Sequence, residues 1–147
     1  MSQSEEQQDT AGSKRGLWIK LAVIALVLLF VGIAVMSLPK GFSDDLSVLG
    51  NGKPAVVLIR DKNAVESINT EEVMGKLRGQ YSGKVDFLLT DFNTPQGKAF
   101  MAASGSDRTD LVLVDAKGQP LKVLRAPQSP GNVQHEIATL FGVTSHE

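Results

Sequence analysis

The chain has 147 residues, 15 basic against 16 acidic for a net charge of −1, 5% aromatic residues and no cysteine. Balanced charge and few aromatic side chains exclude the basic, base-stacking surface of a nucleic-acid-binding protein. The missing cysteines exclude disulfides, thiolate metal sites and cysteine nucleophiles.

Residues 1–16 open with a polar run, SQSEEQQDTAGS, which cannot bury enough apolar surface to fold and is expected to be a disordered tail. Residues 17–38, LWIKLAVIALVLLFVGIAVMSL, carry no charge from Leu21 to Met36. At about 1.5 Å per residue, roughly 20 residues cross a hydrocarbon core about 30 Å thick, so this run predicts one transmembrane helix. Lys20 lies one turn inside its start, where a long stem lets the ammonium reach the interface, and Trp18 suits the headgroup level. A buried core helix in so small a domain would be shorter and less uniformly apolar. A cleaved signal peptide would have an apolar region of about 7–15 residues ending in a small-x-small site, and Ala34-Val35-Met36 is a poor match. The run is therefore expected to be an uncleaved anchor in the bilayer. Lys14, Arg15 and Lys20 precede the span, whereas Lys40 alone follows closely, ahead of Asp44 and Asp45. Basic residues stay on the cytoplasmic side, so the expected topology puts the tail in the cytoplasm and the domain outside. In a bacterium that means an inner-membrane anchor and a periplasmic domain.

Residues 39–52, PKGFSDDLSVLGNG, are expected to form a linker, with Pro39 and Gly41 stopping the helix and a turn or edge strand at Leu46 to Leu49. Residues 53–142 have the pattern of one α/β domain. The run from Pro54 to Ile59 is short, β-branched and continuously apolar, as in a central strand buried on both faces. Val73, Leu77 and Tyr81 recur at helical spacing; Asn69 or Thr70 is expected to cap that helix, with Glu71 and Glu72 in its first turn and Gly83 at its end. Val85 to Phe92 predicts a second strand, and Thr94-Pro95 a cap opening a short helix through Ala103. Leu111 to Val114 and Leu121 to Arg125 flank the turn Asp115-Ala-Lys-Gly118 and predict a hairpin. Ser129-Pro130 opens a last helix with Val133, Ile137, Leu140 and Phe141 on one face. Residues 143–147, with His146, are expected to be a frayed tail. The order β-α-β-α-β-β-α predicts a mixed sheet, parallel at its first crossover, with helices on both faces.

That order resembles the thioredoxin fold, over about Lys53 to Gly142. GKPAVVLI resembles the family's central strand, GQYSGKVDFLLTDFN the end of its long helix and the next strand, and DLVLVDAKGQPL its hairpin. A tethered domain of this kind is similar to membrane-anchored thioredoxin-like proteins of bacterial envelopes. Where the family carries Cys-x-x-Cys this chain reads Ala64-Val65-Glu66-Ser67-Ile68, with Val65 and Ile68 about at the cysteine positions. Where the family has a cis-proline before its third strand, this chain has Arg108-Thr109-Asp110, with Thr109 at that place and a trans bond expected. No catalytic residue carries over. Without sulfur, thiol–disulfide exchange has neither nucleophile nor target.

No other chemistry is legible. His135 points off the apolar stripe of the last helix and lacks the i+4 partner of a zinc site. Asp86, Asp91, Asp107 and Asp110 flank strands, where aspartates commonly cap turns. No phosphate-binding glycine pattern occurs. The expectation is no catalytic, cofactor or metal residue. The thioredoxin resemblance brings Ala64, Val65, Glu66 and Ser67 beside Arg108 and Thr109, either as a partner-binding edge or as plain solvent-exposed connections. Three functional classes remain: a non-catalytic adaptor or assembly factor for envelope proteins, which is preferred; an accessory single-pass subunit docked by its span; and an enzyme of unrecognised chemistry.

Overall fold

The computed structural model describes residues 6–37 and 41–146. The chain separates into two units, one up to Gly41 and one from Phe42 onward. The first is a single helix, α1 (Glu6–Ser37). Its stretch from Ser13 to Met36 is long and apolar enough to cross a membrane, and none of it is buried within the protein. The helix begins at Glu6, eleven residues before the expected start at Leu17, so the expectation of disorder fails from Glu6 to Gly16. The physical reason is cooperativity. Extending an existing helix adds one hydrogen bond per residue fixed, and Glu, Gln and Ala are favourable helix residues. Residues 1–5, 38–40 and 147, where the tails, the last residue of the span and the start of the linker were expected, lie outside the described residues.

The second unit contains β1 (Ala55–Arg60), α2 (Val65–Arg78), β2 (Asp86–Asp91), α3 (Pro95–Ser104), β3 (Leu111–Val114), β4 (Pro120–Leu124) and α4 (Pro130–Phe141). The order is the expected one. The strands lie β2-β1-β3-β4, with β1 parallel to β2 and antiparallel to β3, and β3 antiparallel to β4. Alternation along β1 explains its unbroken apolar run. Val56 and Leu58 pack with α2 and α4 on one face, through Met74, Leu77, Val133 and Ile137. Ala55, Val57 and Ile59 pack on the other face with Phe100 and Met101 of α3. All five strand residues are fully shielded, so each face of this strand needs an apolar side chain.

Three boundaries differ from the sequence reading. Helix α2 begins at Val65, and Asn69 and Thr70 lie inside it. Thr70 Oγ1 donates to the carbonyl of Glu66 at 2.8 Å, one turn back in the helix, the alternative open to a hydroxyl that does not cap. The helix ends at Gly79, and a turn continues to Gly83. The expected linker is part of the domain from Phe42. Phe42, Leu46, Val48 and Leu49 pack against the two cores, Leu46–Val48 form a 3-10 turn capped by Asp45, and Ser43 bridges Leu88 in parallel. The expected C-terminal tail is docked. Val143 packs on the core, the His146 N–H donates to the Gln80 carbonyl at 2.7 Å, and Lys84 Nζ donates to the Thr144 carbonyl at 3.0 Å. The two outer strands are thereby protected differently. Ser43 covers part of β2, whereas β4 begins at Pro120, bears Lys122, and pairs with β3 through a register shift opposite Leu113 and Val114, features that discourage edge pairing.

Candidate functional site

The site develops from the carboxyl end of β1. Asp61 follows that strand, and its carboxylate Oδ1 accepts the N–H of Asn63 at 3.0 Å while its carbonyl accepts the N–H of Ala64 at 3.1 Å. This turn reverses the chain into α2 and exposes the helix start. Ala64 occupies the cap position with no side-chain hydrogen bond, and Val65 is the first helical residue. Val65 and Ile68 are 65% and 54% exposed, and Glu66 is exposed. Ser67 turns the other way. It is fully buried, and its Oγ accepts the N–H of Asp61 at 3.0 Å. Ser67 therefore does not belong to a surface edge; the 3.6-residue period that exposes Val65 and Ile68 turns the residue between them inward.

The loop before β3 lies alongside. The Thr109 N–H donates to the Ile59 carbonyl at 2.9 Å and the Ile59 N–H donates to the Asp110 carbonyl at 3.0 Å. Thr109 has φ +72°, a left-handed conformation that β-branched residues rarely adopt. The cis bond among the described residues joins Ala126 to Pro127, just after β4. Arg108 is exposed, its guanidinium 3.9 Å from the Asp61 carboxylate and 6.0 Å from the centre of the Phe92 ring. The structure thus brings Arg108 and Thr109 to the end of β1, beside the Asp61 turn that leads into Ala64, Val65 and Glu66, with Ser67 buried behind that turn.

Sequence reasoning passed over Asp61 and Phe92, and weighed Asp110 only as a turn cap. Asp110 is buried, its Oδ2 accepts the Asp107 N–H at 2.9 Å, and Arg125 lies 3.9 Å away. Both carboxylates are occupied by backbone donors and serve their turns, which matches the turn-capping expectation for Asp107 and Asp110. The usable signal was position: one aspartate directly after β1 and one directly before β3, which antiparallel pairing places at the same end of the sheet. Among the described residues, no group of three or more His, Asp or Glu side chains is placed to hold a metal ion. His135 is exposed, as expected. A groove of about 430 Å³ runs beside the carboxyl ends of β1 and β2, where Arg60 and Lys62 face Asp44 and Asp91. Its charges balance, so it selects no ligand sign.

No family model and no curated protein matches the chain. Among solved structures, an uncharacterized thioredoxin-like protein from Clostridium perfringens, determined in solution, aligns with a TM-score of 0.61 at 11% identity. The alignment covers 71% of this chain and 83% of that one. At so low an identity the likeness establishes the fold alone: the second unit is a thioredoxin-like α/β domain with a mixed four-stranded sheet.

Proposed function

We propose that this chain is a membrane-anchored, non-catalytic binding module. Its thioredoxin-like domain is held on the periplasmic side of an inner membrane, where it contacts an envelope protein as an adaptor or assembly factor. The observation that carries the reading is local. Val65, Ile68 and Leu121 are the exposed large apolar side chains among the described residues of the domain, and two of the three sit on the first turn of α2. Beside them, the Arg108 fork is exposed and only loosely engaged at 3.9 Å. A small apolar centre rimmed by charge has the anatomy of a contact surface. Anchoring is supported by the length and apolarity of α1, and orientation by Lys14, Arg15 and Lys20 against Lys40. Binding rather than catalysis is supported by the absence of any sulfur nucleophile and by the use of Asp61 and Asp110 in turns.

A second reading, the accessory subunit, is favoured by a different observation: the stretch from Ser13 to Met36 is long, apolar and not buried within the protein, as suits an element that docks on other membrane helices. Crosslinking in intact cells, followed by identification of captured proteins, separates the two. Val65→Arg with Arg108→Glu is expected to abolish capture while circular dichroism remains unchanged. Capture at wild-type levels by a folded double variant rejects the edge and leaves the span as the docking element. Orientation has its own test. A periplasm-dependent reporter fused after Glu147 is expected to be active, and a silent fusion beside an active cytoplasmic reporter reverses the topology.

A further inference from the structure

The groove of about 430 Å³ beside the carboxyl ends of β1 and β2 is lined by polar groups that the domain itself does not use. Thr90 of β2 lines it and is 2% exposed. Every fully enclosed side-chain nitrogen or oxygen among the described residues has a hydrogen-bond partner. The Thr90 hydroxyl has none there, so the small exposed part of Thr90 includes that hydroxyl, and it opens into the groove. The edge of β2 adds two backbone groups. The N–H groups of Asp86 and Phe92 donate to the carbonyls of Pro54 and Arg60, so even residues of β2 turn their backbone toward β1 and odd ones outward. The Ser43 carbonyl takes the Leu89 N–H at 3.0 Å, but the Leu89 carbonyl and the Asp91 N–H, further along that edge, have no backbone partner among the described residues. At the start of α3, Pro95 has no donor, and Thr94 accepts the N–H groups of Gly97 and Lys98. The Gln96 N–H is left without an acceptor at the positive end of the helix dipole. The charges divide in the same way. Arg60 lies 3.8 Å from Glu71, and Asp91 accepts the Asn93 N–H at 2.9 Å. Asp44 and Lys62 also line the groove and have no ion pair or hydrogen bond among the described residues, not even with each other.

We propose that this groove binds a dipeptide with both termini free. Asp44 holds its ammonium, and Lys62 with the Gln96 N–H holds its carboxylate at the start of α3. Its backbone lies along the β2 edge, donating to the Leu89 carbonyl and accepting from the Asp91 N–H, as an added strand does. The Thr90 hydroxyl supplies a further bond. Leu89 to Asp91 spans about 6.6 Å at about 3.3 Å per residue, the length of two extended residues. A ligand of one charge alone leaves the opposite groove charge unanswered, whereas a zwitterion answers both; balanced charge then selects for a ligand that is itself balanced. Phe42 and Leu89 give the wall an apolar part for a side chain. The volume falls within the roughly 300–1,000 Å³ of small-molecule sites. The groove shares no residue with the proposed partner edge, so the inference stands apart from that contact and from the orientation of the anchor.

The test is calorimetric titration of L-alanyl-L-alanine into the full-length chain in detergent micelles. Saturable binding is expected, weakened about tenfold or more when the peptide is N-acetylated or C-amidated, because each change removes one charge-assisted contact. Asp44→Asn is expected to weaken the free dipeptide about tenfold and to leave the N-acetylated form unchanged, since the two changes remove the same contact. Lys62→Gln is expected to act in the same way toward the C-amidated form. Thr90→Val is expected to weaken binding severalfold without lowering the melting temperature, because the hydroxyl holds nothing within the domain. No binding at millimolar dipeptide, or capped peptides that bind as tightly as the free one, overturns the proposal. Acetate that binds as tightly as the dipeptide also overturns it and reduces the groove to an anion site. Asp44→Asn and Lys62→Gln chains that bind the dipeptide like wild type place any binding elsewhere on the molecule and overturn the assignment to this groove.

Discussion

The Ser67 Oγ, fully buried, accepts the backbone N–H of Asp61 at 3.0 Å and so ties the first turn of α2 to the end of β1. Replacing Ser67 by alanine removes the acceptor and leaves a buried N–H without a partner, which costs about 1–3 kcal/mol. Ser67→Ala is expected to lower the unfolding free energy of the domain by that amount, read as a lower denaturant midpoint at unchanged slope. Val65→Ser, at an exposed position, is expected to stay within about 0.5 kcal/mol of wild type. Equal midpoints for Ser67→Ala and wild type would remove the bond from the account of the edge.

Two helical glycines are expected to respond with opposite sign to the same substitution. An added Cβ on Gly97, in the first turn of α3, would overlap the carbonyl oxygen of Asp91, a backbone atom that has to move with β2. Gly97→Ala is expected to destabilise by about 1–3 kcal/mol through overpacking. Gly75→Ala meets open space and is expected to stabilise by up to about 1 kcal/mol. Thermal melts of the two variants side by side decide the matter, and a stabilised Gly97→Ala would show that α3 does not dock as described.

Thr109 holds a left-handed backbone at φ +72°, which costs a β-branched residue roughly 1–3 kcal/mol. Glycine adopts that conformation freely but loses more backbone entropy on folding. Thr109→Gly is therefore expected to raise stability by about 0.5–1.5 kcal/mol, a melting-temperature gain of a few degrees in a domain of this size. A lower melting temperature would mean that the Thr109 side chain contributes more than its backbone costs.

Tyr81 is buried, and burial pushes its phenol above the ordinary value of 10.0, with a hydrogen bond to Ser145 opposing part of that shift. The sign follows from linkage. A group whose pKa is raised by folding leaves stability intact below pH 10, where both states keep the proton. As pH rises past 10, only the unfolded chain releases it freely, and stability falls until the folded pKa is passed. Wild type is expected to lose more stability between pH 9 and 11 than Tyr81→Phe does, in denaturant melts at matched ionic strength. Parallel losses in the two proteins would assign the alkaline sensitivity to other groups.

The contact edge was legible only in part. The β1 run, the Thr94-Pro95 cap and the Asp115 to Gly118 turn are local signals, and each fell where its chemistry required, within a residue or two. The start of α2 misled because Asn69 and Thr70 carry cap chemistry inside a helix, while Ala64, at the true cap, carries none. Ser67 misled for a related reason. One residue's inward turn depends on helix phase, and phase depends on where the helix begins.

The sequence by itself determined the apolar run in α1, the order of strands and helices, and the absence of thiol chemistry, because length, apolar periodicity and residue type are properties of a linear chain. Only the tertiary structure decided that Phe42 to Leu49 and Val143 to His146 belong to the domain, since short polar segments fold when a neighbouring surface offers partners such as Leu89, Gln80 and Lys84. That the Arg108 loop meets the Asp61 turn was expected only through the fold resemblance, and the strand pairing supplies its cause. Residues 47 positions apart become neighbours through the antiparallel pairing of β1 with β3, and no local pattern encodes that contact.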